Sequence, residues 1–161
     1  MGTIQSSINQ MLGTVAGAAA AGKHLKQQQL SIDAANAADK EIVETNKKAL
    51  EADQFEAQQA ILAHSKDEGL SEDEVYRLEK DPEYANTLRD TVLKERRQEN
   101  LTVASDKYNE AKPGLQKYRA GKQLEKAYTS LRELNDRIAA TRQLKFNIAS
   151  AQARLKARGV K

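Results

Sequence analysis

The side chains best suited to catalysis or metal binding are few in this 161-residue sequence and badly spaced for it. There are two histidines, His24 and His64, and no cysteine. On an unbroken helix the forty residues between them separate the imidazoles by about 60 Å, so they share a metal only if the chain folds back. Neither stands in a His-Glu-x-x-His pattern. Lack of cysteine excludes disulfides and thiolate metal centres, and fits a chain that does not depend on an oxidising compartment. The densest acidic cluster, Glu72-Asp73-Glu74, follows Ser71 in a capping box, which accounts for it without any ligand. No glycine-rich phosphate loop follows a strand, and no nucleophile has a matching base. The chain is expected to be no enzyme and to carry no cofactor and no metal.

The chemistry that does stand out is charge. The formal total of +3 conceals a gradient. Residues 1–64 hold five lysines against seven carboxylates, residues 65–100 seven bases against eleven acids, and residues 101–161 fourteen bases against five acids. A basic end of this kind attracts nucleic acid, anionic lipid or an acidic neighbour, and composition does not choose among them. The cations expected to make such contacts are Lys117, Arg119, Lys122, Lys126, Arg132, Arg137, Arg142, Arg154, Lys156 and Arg158. Without aromatic interleaving for base stacking, contact with DNA is expected to be phosphate-directed and sequence-independent.

The elements that must position these charges are helical. No segment alternates β-branched residues as a strand does. From Gly2 to Ser65 there is no proline and beyond Gly22 no glycine, so one long helix is expected. Ala35, Ala38, Ile42, Thr45, Ala49 and Ala52 follow steps of three and four along it, a thin seam for helix–helix contact. An elbow is expected near 66–82, where Leu70 and Val75 flank the Ser71/Glu74 box and Asp81-Pro82 starts a helix ending at Arg96 and Arg97. Pro113-Gly114 marks a second break. Beyond it Leu124, Leu131 and Ile138 occupy one heptad position, followed by Lys145 and Gln152. Ala127, Leu134, Thr141, Ile148 and Leu155 occupy the other, a seam carried chiefly by Leu124, Leu131, Leu134, Ile138 and Ile148. The fold class is therefore all-α, with elongated long helices packed in coiled-coil fashion within an oligomer. Four regions result: an uncharged Gly/Ala-rich apolar helix at 1–22, a polar long helix at 23–65, an acidic helical elbow at 66–100 and a basic helical region at 101–161.

Hydrophobic residues make up 39% of the chain, many of them alanine, aromatics only 4%, and tryptophan is absent. That supply is thin for a deep core in one chain and favours association. Residues 1–22 carry no charge, and Ile4, Ile8, Met11, Leu12 and Val15 form an apolar stripe running into Gly13, Gly17 and Ala21, small residues that let a neighbouring helix or lipid headgroups approach closely. The early polar residues Gln5, Ser6, Ser7, Asn9 and Gln10 argue against a spanning helix, and the first base, Lys23, comes too late for a secretory signal.

The opening Met1-Gly2-Thr3-Ile4-Gln5-Ser6-Ser7-Ile8, running through Leu12-Gly13-Thr14-Val15-Ala16-Gly17-Ala18-Ala19-Ala20-Ala21-Gly22 into a Gln-, Ala- and Lys-rich helix, resembles the small α-helical virion proteins of bacteriophages. These include internal, ejection and pilot-type proteins of the portal–tail region. The resemblance is of texture and covers about residues 1–60. It implies a structural virion protein made in the host cytoplasm, present in symmetric copies in the particle interior or near the portal and tail, and assisting DNA packaging or ejection. The implied partners are copies of itself, other virion proteins, the DNA backbone and the host membrane at infection. The alternative is a peripheral helical scaffold that associates with membranes through residues 1–22.

Overall fold

The computed structural model describes the backbone from Gly2 to Lys161 and the side chains from Ala21 onward. It is all-α, without a strand among the described residues. Helix α1 spans Gly2–Ala63, α2 Glu72–Lys80, α3 Tyr84–Leu88, α4 Lys94–Glu110 and α5 Leu115–Ala157, with a single wide π turn, Arg89–Leu93, between α3 and α4.

The breaks follow local chemistry. After α1 the chain turns at Gly69, whose φ of 64° lies in the left-handed region, and the Leu70 N–H donates to the Ser65 carbonyl. A Cβ on Gly69 would meet the Arg96 guanidinium, which would have to swing aside, so it is the backbone conformation that favours glycine there. Ser71 caps α2: its Oγ accepts the Glu74 N–H at 3.2 Å and donates to Glu74 Oε1 at 3.1 Å. In a full capping box the Glu side chain would instead reach back to the cap's own N–H. The Asp81 carboxylate accepts the Glu83 N–H at 3.0 Å and starts the next helical run. That run does not end at Arg96 and Arg97 as expected. Nothing between them and Glu110 breaks a helix, so it continues, and the Arg97 guanidinium serves tertiary contacts instead. At the second break Gly114 takes a φ of 104°.

The chain forms two compact units, Glu44–Ala149 and Met1–Val43 with Ser150–Lys161. In Glu44–Ala149 a single cluster joins Ala57, Ile61, Leu78, Ala85, Leu88, Leu93, Leu134 and Ile138, with Leu62, Leu70, Tyr84 and Val92 packed against it. Leu78, Leu88 and Leu93 are completely enclosed, each gaining roughly 1.5–3 kcal/mol by leaving water. The expectation of too little hydrocarbon for a core is thus corrected for these residues. Short helices at 72–93 deliver three leucines and an alanine to one point, where α1 adds Ala57 and Ile61. In the other unit the buried apolar residues among those described are Ala151 and Leu155.

The alanine seam on α1 is also corrected. Ala38, Thr45, Ala49 and Ala52 are exposed. The inward line in Glu44–Ala149 is Asn46, Leu50, Asp53, Ala57 and Ile61, and in the other unit Asn36, Asp39 and Val43. Both lines keep the three-and-four spacing, but polar side chains occupy much of them because each has a partner on a distant helix. On α5, Leu124, Ala127 and Leu131 are half-buried, and Leu134, Ile138 and Thr141 are buried. Lys145 and Gln152 are exposed, and Leu144 and Ala151 take the inward places beside Ile148 and Leu155.

Candidate functional site

Within Glu44–Ala149 the helices are keyed by a polar junction. Arg89, 3% exposed, opens the π turn and extends Nη1 to Asp53 Oδ2 on α1 at 3.2 Å and Thr141 Oγ1 on α5 at 3.3 Å. Thr141 Oγ1 donates to the same Asp53 oxygen at 2.6 Å. A π turn places one extra residue in the helix, and such turns concentrate where side chains must be re-aimed. Here Arg89, Leu88 and Leu93 are all buried. Arg89 Nη2 and both polar atoms of Asn86, which is 7% exposed, find no hydrogen-bond partner among the described residues. Nearby, Gln58 Nε2 donates to the Leu78 carbonyl at 2.8 Å, and Arg97 holds Glu68 at 2.8 Å and the Ser130 carbonyl at 3.2 Å. These contacts join helices.

At the Pro113-Gly114 end of the same unit, α4 and α5 line two adjoining solvent-open grooves of 470 and 620 Å³. Tyr108, Gly121 and Glu125 line both; Tyr118 borders the first and Tyr128 the second. Lys117 Nζ stands 4.8 Å from the Tyr108 ring centroid and Lys122 Nζ 5.7 Å from that of Tyr118. Tyr118 and Tyr128 remain 63% and 60% exposed. The expectation that the basic region lacks interleaved aromatics is therefore corrected. Tyr108 lies five residues before Pro113 and Tyr118 four after Gly114, so a hairpin at that turn was enough to bring the two rings to one end.

In the unit of Met1–Val43 and Ser150–Lys161, the C-terminal arginines close on a single carboxylate. Arg154 Nη2 lies 2.9 Å from Asp39 Oδ1, with Nε donating to the same oxygen, while Arg158 Nη2 holds Asp39 Oδ2 and its Nε donates to Asn36 Oδ1 at 2.6 Å. Hydrogen bonds from Arg154 and then Arg158 hold the Asp39 carboxyl below its usual value, outweighing the opposing effect of desolvation. Residues 21–34 of α1 are exposed without exception, among them Leu25 at 64% and Leu30 at 68%.

The remaining residues singled out in the sequence distribute as follows. Ile4, Ile8, Met11, Leu12, Gly13, Val15 and Gly17 lie outside the residues whose side chains are described, and Ala21 is exposed. Of the ten cations, Arg154 and Arg158 engage Asp39; Arg137 and Arg142 each stand 3.7 Å from a carboxylate, Glu56 and Asp90. Lys117, Arg119, Lys122, Lys126, Arg132 and Lys156 form no ion pair among the described residues. His24 meets Gln28 at 3.2 Å, and His64 faces Asp67 at 3.8 Å with both side chains exposed. No group of three metal-ligating side chains occurs among the described residues, and no helix among them is long and apolar enough to cross a membrane. Asp39, Asp53 and Arg89 escaped the sequence reading because each reads locally as a helix-surface residue, whereas Thr141 falls on the expected α5 seam and only its bond to Asp53 was hidden. Compared with known proteins, the chain matches no family model, no curated protein and no solved structure.

Proposed function

We propose that this chain is a non-enzymatic structural protein of a bacteriophage particle, acting as a helical oligomer in the particle interior or portal–tail region and assisting DNA packaging or ejection. The observation that carries this reading is the exposed stretch 21–34 of α1. A helix of that length with no described residue burying it is marginal in water, since most helical stability in proteins comes from tertiary contact. Leu25 and Ile32, 64% and 42% exposed and seven residues apart, share the face a neighbouring helix would cover, and Leu30, 68% exposed, lies on the opposite face, open to a second. The uncharged run before them supports the same reading, as does the resemblance of residues 1–60 to small virion helices. Copies of the chain and other particle proteins are the partners, packed side by side in coiled-coil fashion.

Sedimentation of the full chain over a range of concentrations tests the assembly. Reversible association is expected, weakened at least tenfold by Leu25→Ser, Leu30→Ser and Ile32→Ser together, with the protein recovered from purified particles. A monomer at every concentration would overturn the oligomer. Association with anionic vesicles that depends on residues 1–22, combined with absence from particles, would replace this reading by the peripheral membrane scaffold.

A further inference from the structure

The six cations of residues 107–126, Lys107, Lys112, Lys117, Arg119, Lys122 and Lys126, face only two acids in that stretch, Glu110 and Glu125. None of the six forms an ion pair among the described residues, whereas Arg137, Arg142, Arg154 and Arg158 further along α5 each reach a carboxylate of the chain. Lys117 and Lys122 border the first tyrosine-lined groove directly, and Glu125 is the carboxylate that lines both grooves. We infer that the α4–α5 hairpin end is a binding site for single-stranded nucleic acid, with bases stacked on Tyr118 and Tyr128 and phosphates held by Lys117, Lys122 and their neighbours.

Three features select this partner. The Tyr118 and Tyr128 rings offer broad exposed surfaces, and a ring accepts any base because every base has a π face. Leu101, Leu124 and Tyr108 give the grooves an apolar floor that a splayed base can cover and a duplex, with its bases paired inside, cannot reach. An acidic peptide would use the cations and leave both rings unpaired. Lys117 and Lys122 already stand near ring faces, so their ammonium groups are positioned beside stacked bases, where phosphates pass. The site deepens the particle reading above by naming the nucleic-acid contact, but it stands on the hairpin alone and is tested apart from assembly.

The probe is a fluorescent oligothymidylate of about 20 nucleotides, longer than a single-strand site of roughly 4–16 nucleotides, titrated with the full chain. Affinity is expected to fall steeply between about 50 and 200 mM salt. Tyr118→Ala with Tyr128→Ala is expected to weaken binding at least tenfold with an unchanged salt slope, while the phenylalanine pair retains it. Lys117→Gln with Lys122→Gln is expected to reduce the slope by roughly 1.4, two phosphate contacts at about 0.7 each. All four side chains border solvent-open grooves, and an unchanged far-ultraviolet spectrum verifies that each variant folds. Equal competition by duplex of the same length, equal competition by polyglutamate, or alanine variants that bind as well as the parent would each overturn the site. Association in the sedimentation experiment without oligothymidylate binding would remove this inference and leave the particle reading standing. Binding by a chain that stays monomeric would do the reverse.

Discussion

Residues Glu44–Ala149 bury eight apolar side chains in one cluster and key it with Arg89, Asp53 and Thr141. Met1–Val43 with Ser150–Lys161 buries Ala151 and Leu155 among its described residues and closes on Asp39. The same two long helices serve both units, so the difference lies in what else is brought to them. In the first, α2, α3 and the π turn add three enclosed leucines, Leu78, Leu88 and Leu93. In the second only α1 and α5 are present, and two guanidiniums on one carboxylate do much of the joining. Hydrocarbon contact has no group to titrate and no charge to screen, while a charge clamp near solvent responds to pH and to ionic screening.

The comparison breaks most decisively at the leucines. Leu88→Ala removes an enclosed side chain where α3 meets the π turn, and should lower stability by about 3 kcal/mol. Leu155→Ala removes the same atoms from a site at the chain's end that is 9% exposed, and should cost less than half as much because the last turn of α5 can relax into the space. Urea denaturation of both variants measures the contrast. Equal losses would mean that the clamped unit carries as much packing energy as the clustered one.

Asn86 offers a smaller effect of opposite sign. Its amide is buried in Glu44–Ala149 and neither polar atom has a hydrogen-bond partner among the described residues. Asn86→Leu keeps nearly the same shape and relieves the desolvation of two polar groups, so it should stabilise by about 1 kcal/mol, read as a higher urea midpoint at unchanged slope. A loss of stability would show that the amide is satisfied in solution and belongs to the polar junction with Arg89.

How far the sequence carries depends on the range of the interaction. The Ser71 cap, the Asp81 start and the Pro113-Gly114 turn are settled within a few residues, and all three were legible. The inward face of α1 was not. Ala35, Ala38, Ile42, Thr45, Ala49 and Ala52 and the true inward line share one periodicity, and the apolar set looked like the better seam. What turns Asp39 inward is a pair of arginines 115 and 119 residues away, and Asp53 is drawn by Thr141, 88 residues away. Hydropathy carries no trace of such pairs. The tyrosine grooves fall between these cases, since Tyr108 and Tyr118 lie close to a visible turn but meet only once α4 and α5 are antiparallel neighbours.

The clamp gives the mildest and most local prediction. Because Arg154 and Arg158 hold the folded Asp39 carboxyl below its value of 3.8, the folded state binds its proton less readily than the unfolded chain. The contribution is therefore complete above the unfolded value and is lost as pH falls through the lower folded value. Neutral pH leaves the clamp intact. Acidification below 3.8 should speed amide hydrogen exchange in residues 150–158 beyond the intrinsic effect of pH, and Asp39→Asn should produce the same fast exchange at pH 7 and abolish the acid response. Exchange around Leu134 and Ile138 should be unchanged by the substitution, because their burial belongs to the leucine cluster. Equal acceleration at both places would show that the carboxylate supports the cluster as well, and the contrast between a clamped unit and a packed one would fail.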